Sequence, residues 1–190
     1  FVDPMCGAGT FPIEAAMIAA NIAPGMDRSF TAEEWENLIP KKEWYAAITE
    51  AEDMVDRHLL ETKENRFGKM VDIQGYDIDP TMIPVCRENA ERAGVLSLIH
   101  FQERDIAKMS HGKKHGVLMT NPPYGERIED KRNLPLLYTE LREAYEGLND
   151  WQLFVITAYE QAEKYLGKSF KNRKIYNGMM KTYLYQYKGK

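Results

Sequence analysis

Short apolar runs alternate along the chain with stretches whose apolar residues recur every three or four positions, the signature of strands alternating with amphipathic helices. Phe1-Val2-Asp3 reads as the end of a first strand. Residues 71–77, 98–103, 115–119 and 151–157 read as the second to fifth. Between them, Ile13, Ala16, Met17 and Ala20 share one helical face, and Ile83, Cys86, Ala90 and Ala93 share another. Asp79 with Pro80 opens that second helix and Gly94 ends it. Asn133 is the expected cap of a helix carrying Leu137, Leu141, Tyr145 and Leu148, and a short helix from Tyr159 to Leu166 stops at Gly167. Near the end, Lys174-Ile175-Tyr176 and Thr182 to Tyr187 flank Asn177-Gly178, a hairpin signal. The alternating order predicts an α/β fold with a mostly parallel sheet, and the hairpin adds antiparallel strands.

Residues 24–70 break this rhythm, because an αβ connection normally takes a few residues. Thr31-Ala32-Glu33-Glu34 has the form of a capping box opening a short helix with Trp35 and Leu38. Pro40 then starts a longer helix in which Trp44, Ile48, Ala51, Val55 and Leu59 recur at helical steps. The stretch predicts a helical insertion lying on the main domain, its aromatics packed as core and its Lys and Glu residues solvated.

At 190 residues the chain is expected to be one domain spanning 1–190. A net charge of −4 argues against a general nucleic-acid binder. Cys6 and Cys86 form no metal pattern or disulfide framework, which points to a reducing cytoplasm. No apolar run approaches the ~20 residues a membrane helix needs, and no signal peptide is visible. Because the chain opens inside a strand without an initiator Met, we expect a piece of a longer protein with its first strand truncated.

The candidate chemistry gathers at strand ends. Asn121-Pro122-Pro123-Tyr124 follows the fourth strand, and its prolines make a stiff turn. That turn offers an amide oxygen, free carbonyls and a ring face, the parts that hold a planar amino group. After the first strand, Pro4-Met5-Cys6-Gly7-Ala8-Gly9-Thr10 is a tight glycine turn. It lacks the dinucleotide fingerprint, since Pro12 stands where the third glycine would be. Asp77 and Asp105 end the second and third strands, and an acid after the second commonly binds ribose hydroxyls in such folds. Asp79 has its cap role, whereas Asp77 has no such structural duty. His111 and His115 suggest a metal pair only weakly, since Gly112 argues against a helix there and no third ligand is near; the expectation is no metal.

Asp3-Pro4-Met5-Cys6-Gly7-Ala8-Gly9-Thr10 resembles the first motif of S-adenosylmethionine-dependent methyltransferases, and Asn121-Pro122-Pro123-Tyr124 resembles the catalytic motif of their amino-methylating branch. With Asn21-Ile22-Ala23-Pro24-Gly25, the long insertion and Gly125-Glu126-Arg127, the chain is similar to the ribosomal RNA guanine-N2 methyltransferases that carry an upstream THUMP domain. The resemblance implies a Rossmann-like class I fold: a mostly parallel seven-stranded sheet with an antiparallel terminal hairpin and a helical insertion at about 24–70. It implies that Asp3, Pro4, Cys6, Gly7, Gly9 and Thr10 face the methionine part of S-adenosylmethionine. Asp77 would hold the ribose hydroxyls and Asp105 the adenine amine, with Ile78 and Asn121 also against the cofactor. Asn121, Pro122 and Tyr124 would be catalytic. The implied substrate is ribosomal RNA, 23S above all, held mainly by the upstream domain. A DNA adenine-N6 methyltransferase, a protein glutamine methyltransferase and a non-catalytic RNA-binding module are the alternatives.

Overall fold

Seven strands join in one sheet in the computed structural model, which describes residues 1–125 and 128–189, with backbone alone at 128–131 and 177. They are β1 (Val2–Asp3), β2 (Ile73–Asp77), β3 (Ile99–Glu103), β4 (Val117–Thr120), β5 (Gln152–Thr157), β6 (Lys171–Asn177) and β7 (Met180–Tyr187). Their spatial order is β3-β2-β1-β4-β5-β7-β6. β1 to β5 run parallel, and β7 runs antiparallel to both β5 and β6. The fold is the class I methyltransferase architecture that the motifs imply.

Several expected boundaries move: β2 starts at Ile73, α6 at Ala162, β6 at Lys171 and β7 at Met180. β4 starts at Val117, later than the apolar run suggests, because His115 takes a positive φ and Gly116 lies against the Trp151 ring. The strand then includes Thr120, which brings Asn121 to the first position beyond it. In the hairpin, Asn177 pairs with Met180, so the two-residue loop is Gly178-Met179, one step past the expected Asn-Gly. Gly178 supplies the positive φ of 61° that this turn requires.

Helices cover both faces. α1 (Thr10–Ala19) and α4 (Met82–Arg92) bury Ala16, Ala20, Ile83, Cys86 and Ala90 against Ile73, Ile99 and Phe101. On the other face α5 (Ile128–Glu146) and α6 (Ala162–Leu166) pack Leu134, Tyr138, Leu141 and Leu166 on Leu118, Leu153 and Val155. The expected cap Asn133 lies inside α5, which begins earlier, at Ile128.

The insertion is the largest departure. Its long helix is two, α2 (Lys41–Asp53) and α3 (Arg57–Thr62), separated where Asp56 caps α3 by accepting from the Leu59 N–H at 2.9 Å. A short 3-10 turn spans Thr31–Glu34, and its box is half formed: Glu33 Oε1 accepts from the Phe30 N–H, one residue ahead of Thr31. No residue of α2 is buried, and Trp35, Leu38 and Tyr45 are exposed. The expectation that these aromatics are core therefore fails. Phe30 and Trp44 instead stack on each other at 6.2 Å. The insertion is anchored at its ends: Asn21 Nδ2 donates to the Met54 carbonyl, the Asp56 N–H to that of Ala20, and Leu59 is buried in the α1–α4 core.

Gly75, in the middle of β2, decides how closely α1 approaches the sheet. A Cβ there would stand 2.7 Å from the Phe101 ring and 3.1 Å from Pro12 Cγ. We expect Gly75→Ala to lose about 1–3 kcal/mol through overpacking. Gly112→Ala, in open space, should stay within about 0.5 kcal/mol of the parent. Denaturant titrations of the two variants check the difference, and equal losses would contradict the packing.

Candidate active site

Strand order reverses between β1 and β4, so the loops leaving these neighbours diverge and open a crevice at the carboxyl edge, where α/β sheets bind ligands. A cavity of about 300 Å³ lies there. It is lined by Pro4 and Met5 after β1, Asp77 and Ile78 after β2, Arg104, Asp105 and Ile106 after β3, and Asn121 and Pro123 after β4. Leu137 and Glu140 of α5 complete the wall. Residues 70 or more positions apart thus meet in one place. A hollow of about 160 Å³ in the insertion, between Phe30 and Trp44, involves no strand end.

The glycine turn is held by the acid of the next strand. Asp77 Oδ2 accepts from the Gly7 N–H at 2.8 Å, and Oδ1 accepts from the Asp79 N–H at 3.0 Å. Asp77 therefore does have a structural duty, contrary to the sequence reading. Each oxygen keeps a lone pair free for a ligand hydroxyl. Asp79 acts as expected near the start of α4, accepting from the Thr81 N–H and hydroxyl, although the helix itself starts at Met82. Gly7 and Gly9 both have positive φ, 51° and 88°. A Cβ on Gly9 would press on Cys86 and Phe101, whereas nothing stands within 4 Å of one on Gly7, which leaves room for a bound molecule.

Cys6 turns the other way. Its side chain is buried against Cys86, with the sulfurs 3.7 Å apart, and its N–H donates to the Tyr76 carbonyl. The Cys86 thiol, and then burial, push the Cys6 thiol well above its ordinary pKa. Its side chain packs the turn on the core and is not among those that line the cavity. Thr10 is the exposed first residue of α1.

Asp3 is 2 % exposed at the base of the site and accepts from the Met5 N–H at 3.1 Å. Burial pushes its carboxyl up to about 7. The Thr120 hydroxyl and the Met5 N–H pull it down, and the Asp77 charge adds to the rise. The Thr120 hydroxyl is buried beside it with no partner at full hydrogen-bond geometry among the described residues.

In the turn after β4, Pro122 is buried while Asn121 and Pro123 are exposed. The Tyr124 hydroxyl donates to Asn121 Oδ1 at 2.5 Å. Sequence reasoning assigned Tyr124 a ring face only and missed this bond. Glu126 and Arg127, part of the likeness noted above, lie outside the described residues. Asp105 caps the short turn Ile106–Lys108 through Oδ1, accepting from the Ala107 N–H, and still lines the cavity. Ile78, 67 % exposed, forms the rim. Arg104 also escaped the sequence reading: its guanidinium lies 4.5 Å over the Tyr76 ring. An Arg adjoining a strand-end acid is the signal that would have found it. His111 faces Asp72 and Trp151, while His115 faces Asp150, so the two do not converge. Among the described residues no three His, Cys, Asp or Glu stand together as metal ligands.

Residues 1–186 match the family of RMKL-like methyltransferase domains. YpsC of Bacillus subtilis, whose name assigns it provisionally to the RNA methyltransferases, is 39 % identical over 98 % of this chain and 46 % of its own length. The ribosomal RNA large subunit methyltransferase K/L of Marinobacter nauticus is 34 % identical over 97 % of this chain and 25 % of its own. Among solved structures, a methyltransferase candidate, SMU.472, in complex with S-adenosylhomocysteine, superposes with a TM-score of 0.87 at 38 % identity, covering all of this chain and 48 % of that one. A Listeria monocytogenes protein described as a predicted N6-adenine-specific DNA methylase superposes at 0.84 with 41 % identity, over all of this chain and 46 % of its own. The chain thus spans less than half the length of these relatives. No helix among the described residues is long and apolar enough to cross a membrane. The open space at Gly7, the free lone pairs of Asp77 and the buried acid Asp3 fit a nucleoside carrying a cationic tail, and with these matches the chain belongs to the RMKL-like methyltransferase-domain family, whose cofactor is S-adenosylmethionine.

Proposed function

We propose that this domain methylates the exocyclic N2 amine of a guanine in ribosomal RNA, 23S above all, with the RNA held mainly by an upstream domain. The observation that carries the reading is the placement of Asn121 and Pro123 on the same cavity as Asp77 and Asp105. The names of the large-subunit relatives support the RNA substrate.

A guanine amine is a poor nucleophile because its lone pair is delocalised into the ring. The Asn121 side-chain oxygen and the Pro122 carbonyl accept hydrogen bonds from its two N–H groups and draw the nitrogen towards tetrahedral geometry, which returns the lone pair; as the N–C bond forms the S–C bond breaks, and the surplus proton of the nitrogen leaves to solvent. The cofactor, when bound, supplies an electrophilic methyl on a sulfonium. Asn121 acts by orientation and preorganised electrostatics. Its oxygen has two lone pairs, so the Tyr124 hydroxyl can fix its direction while the amine takes the other. The Tyr124 ring stacks on a base that is flipped out or presented unpaired. Asp77 takes the ribose hydroxyls beside its bond to Gly7, Ile78 covers the adenine edge, and Asp105 accepts from the adenine amine. The Pro4–Thr10 turn and Asp3 face the methionine portion. The description of the Listeria neighbour favours one second reading, methylation of DNA adenine N6, which uses the same Asn chemistry. Competition between guanine-containing RNA and adenine-containing DNA as acceptors separates the two.

Asn121→Ala should lower the single-turnover rate about 100- to 1,000-fold, the usual loss for one preorganised interaction. Cofactor affinity and melting temperature should hold. A variant that melts normally and methylates at the parent rate would remove Asn121 from the mechanism.

Asp77→Ala should weaken S-adenosylhomocysteine binding more than Asp79→Ala does. It loses charge-assisted hydrogen bonds to ribose, each worth about 1.5–3 kcal/mol, and also releases Gly7. Asp79→Ala loses a cap worth about 1 kcal/mol, read mainly in stability. Calorimetric titration of both variants decides, and the reverse ranking would refute the assignment.

Asp3 sets a pH dependence. Its carboxyl is raised in the folded chain from 3.8 to about 7, so the unfolded chain ionises first. The stability it contributes is full below about pH 4 and is lost as pH rises towards 7, by at most roughly 4 kcal/mol. Asp3→Asn keeps an oxygen for the Met5 N–H and should melt higher than the parent at pH 8, with the gap closing near pH 4. A gap independent of pH would mean that the carboxyl titrates in its ordinary range.

A further inference from the structure

The net charge of −4 hides a strong segregation. Residues 161–190 hold eight lysines and arginines against a single acid, Glu163, giving +7, so residues 1–160 carry −11. The basic segment is α6 and the β6–β7 hairpin, and its position matters. β5 ends at Thr157, which pairs with Tyr183. Met180, Lys181 and Thr182, with the Gly178-Met179 loop, therefore extend past the carboxyl end of β5 by roughly 10 Å. This is the edge on which Asn121 opens, two strand spacings away, again roughly 10 Å.

The register then builds a surface. Lys174 pairs with Tyr183 and Tyr176 with Lys181, so two cations and two rings alternate on one face of the hairpin. Lys174 Nζ lies 4.8 Å over the Tyr176 ring and Lys181 Nζ 5.0 Å over Tyr183. On α6, Lys164 Nζ lies 5.3 Å over Tyr165. Each ammonium is held by a ring, which lowers the entropy lost when it meets a phosphate. Tyr176 is 63 % exposed, an open ring face beside those charges. Phosphate-attracting cations beside an exposed aromatic ring are a surface that can hold a single nucleic-acid strand.

We propose that the overhanging β6–β7 hairpin, with Lys164 of α6, is this domain's own RNA-binding edge. It holds the phosphates of a single strand next to the nucleotide presented to Asn121. This rests on the reading of the substrate as RNA. The net −11 of the remainder disfavours the same polyanion, which leaves this edge as the most basic continuous segment of the chain.

The test measures binding of poly(U) to the S-adenosylmethionine-loaded chain across a salt series. Poly(U) has no guanine, so its binding is independent of which base is methylated. The Lys164→Gln/Lys174→Gln/Lys181→Gln variant should reduce the log–log salt slope by about 2, near 0.7 for each phosphate no longer neutralised. Its melting temperature and cofactor affinity should match the parent. The matching three Lys→Arg changes should keep the parent slope. Tyr176→Ala should weaken binding roughly 5- to 100-fold with the slope retained. Equal slopes for parent and glutamine variant would overturn the proposal, as would equal binding of poly-glutamate, or a parent that does not bind poly(U) at low salt. Self-association of the glutamine variant with an unchanged slope would also overturn it, making the lysines guards of the open β6 edge. The expected slope change in a chain that methylates only a guanine-free acceptor would uphold the hairpin and refute the guanine assignment.

Discussion

Asp77 Oδ2 accepting the Gly7 N–H joins the ends of two neighbouring strands, and the geometry of the crevice follows from it. The turn that leaves β1 is positioned from β2, by Asp77 at Gly7 and by the Tyr76 carbonyl at the Cys6 N–H. Gly7 and Gly9 supply the left-handed angles that let the chain reach these acceptors, and Gly75 lets α1 settle on β2 behind them. One carboxylate thus shapes the turn through Gly7 and the start of the next loop through Asp79, while each oxygen keeps a lone pair.

The same junction explains why a long insertion between α1 and β2 is tolerated. Entry and exit are closed by Asn21 to Met54 and by Asp56 to Ala20, and Leu59 plugs into the core, so the sheet registers β2 without the intervening segment. Loop-closure cost rises only slowly with length, and the two anchors spare the sheet most of it. The helices between are free to keep a polar composition, and α2 accordingly buries nothing.

The sheet was legible because its signals are local and redundant: apolar runs, glycine turns and helical spacing agreed at β1, β2, β3 and β5. The strand ends that carry Asp77, Asp105 and Asn121 were legible for the same reason. What could not be read depended on neighbours distant in the chain. Periodicity alone continued α2 into α3, since a cap at Asp56 interrupts a helix without disturbing its apolar spacing. It also marked Trp35 and Tyr45 as core, because periodicity reports a face and not whether anything covers it. Cys6 looked like a ligand contact within its motif, yet Cys86, 80 residues on, claims its side chain. Net charge misled by averaging, where counting by segment would have exposed the basic hairpin.

Electrostatics gives the site a direction. Asp3 is buried, and the Asp77 charge nearby adds to the cost of ionising it. On the proposed placement of the cofactor, its sulfonium charge offsets that of the buried Asp3 carboxylate and the neutral product does not, so the acid at the end of β1 would favour S-adenosylmethionine over the demethylated product.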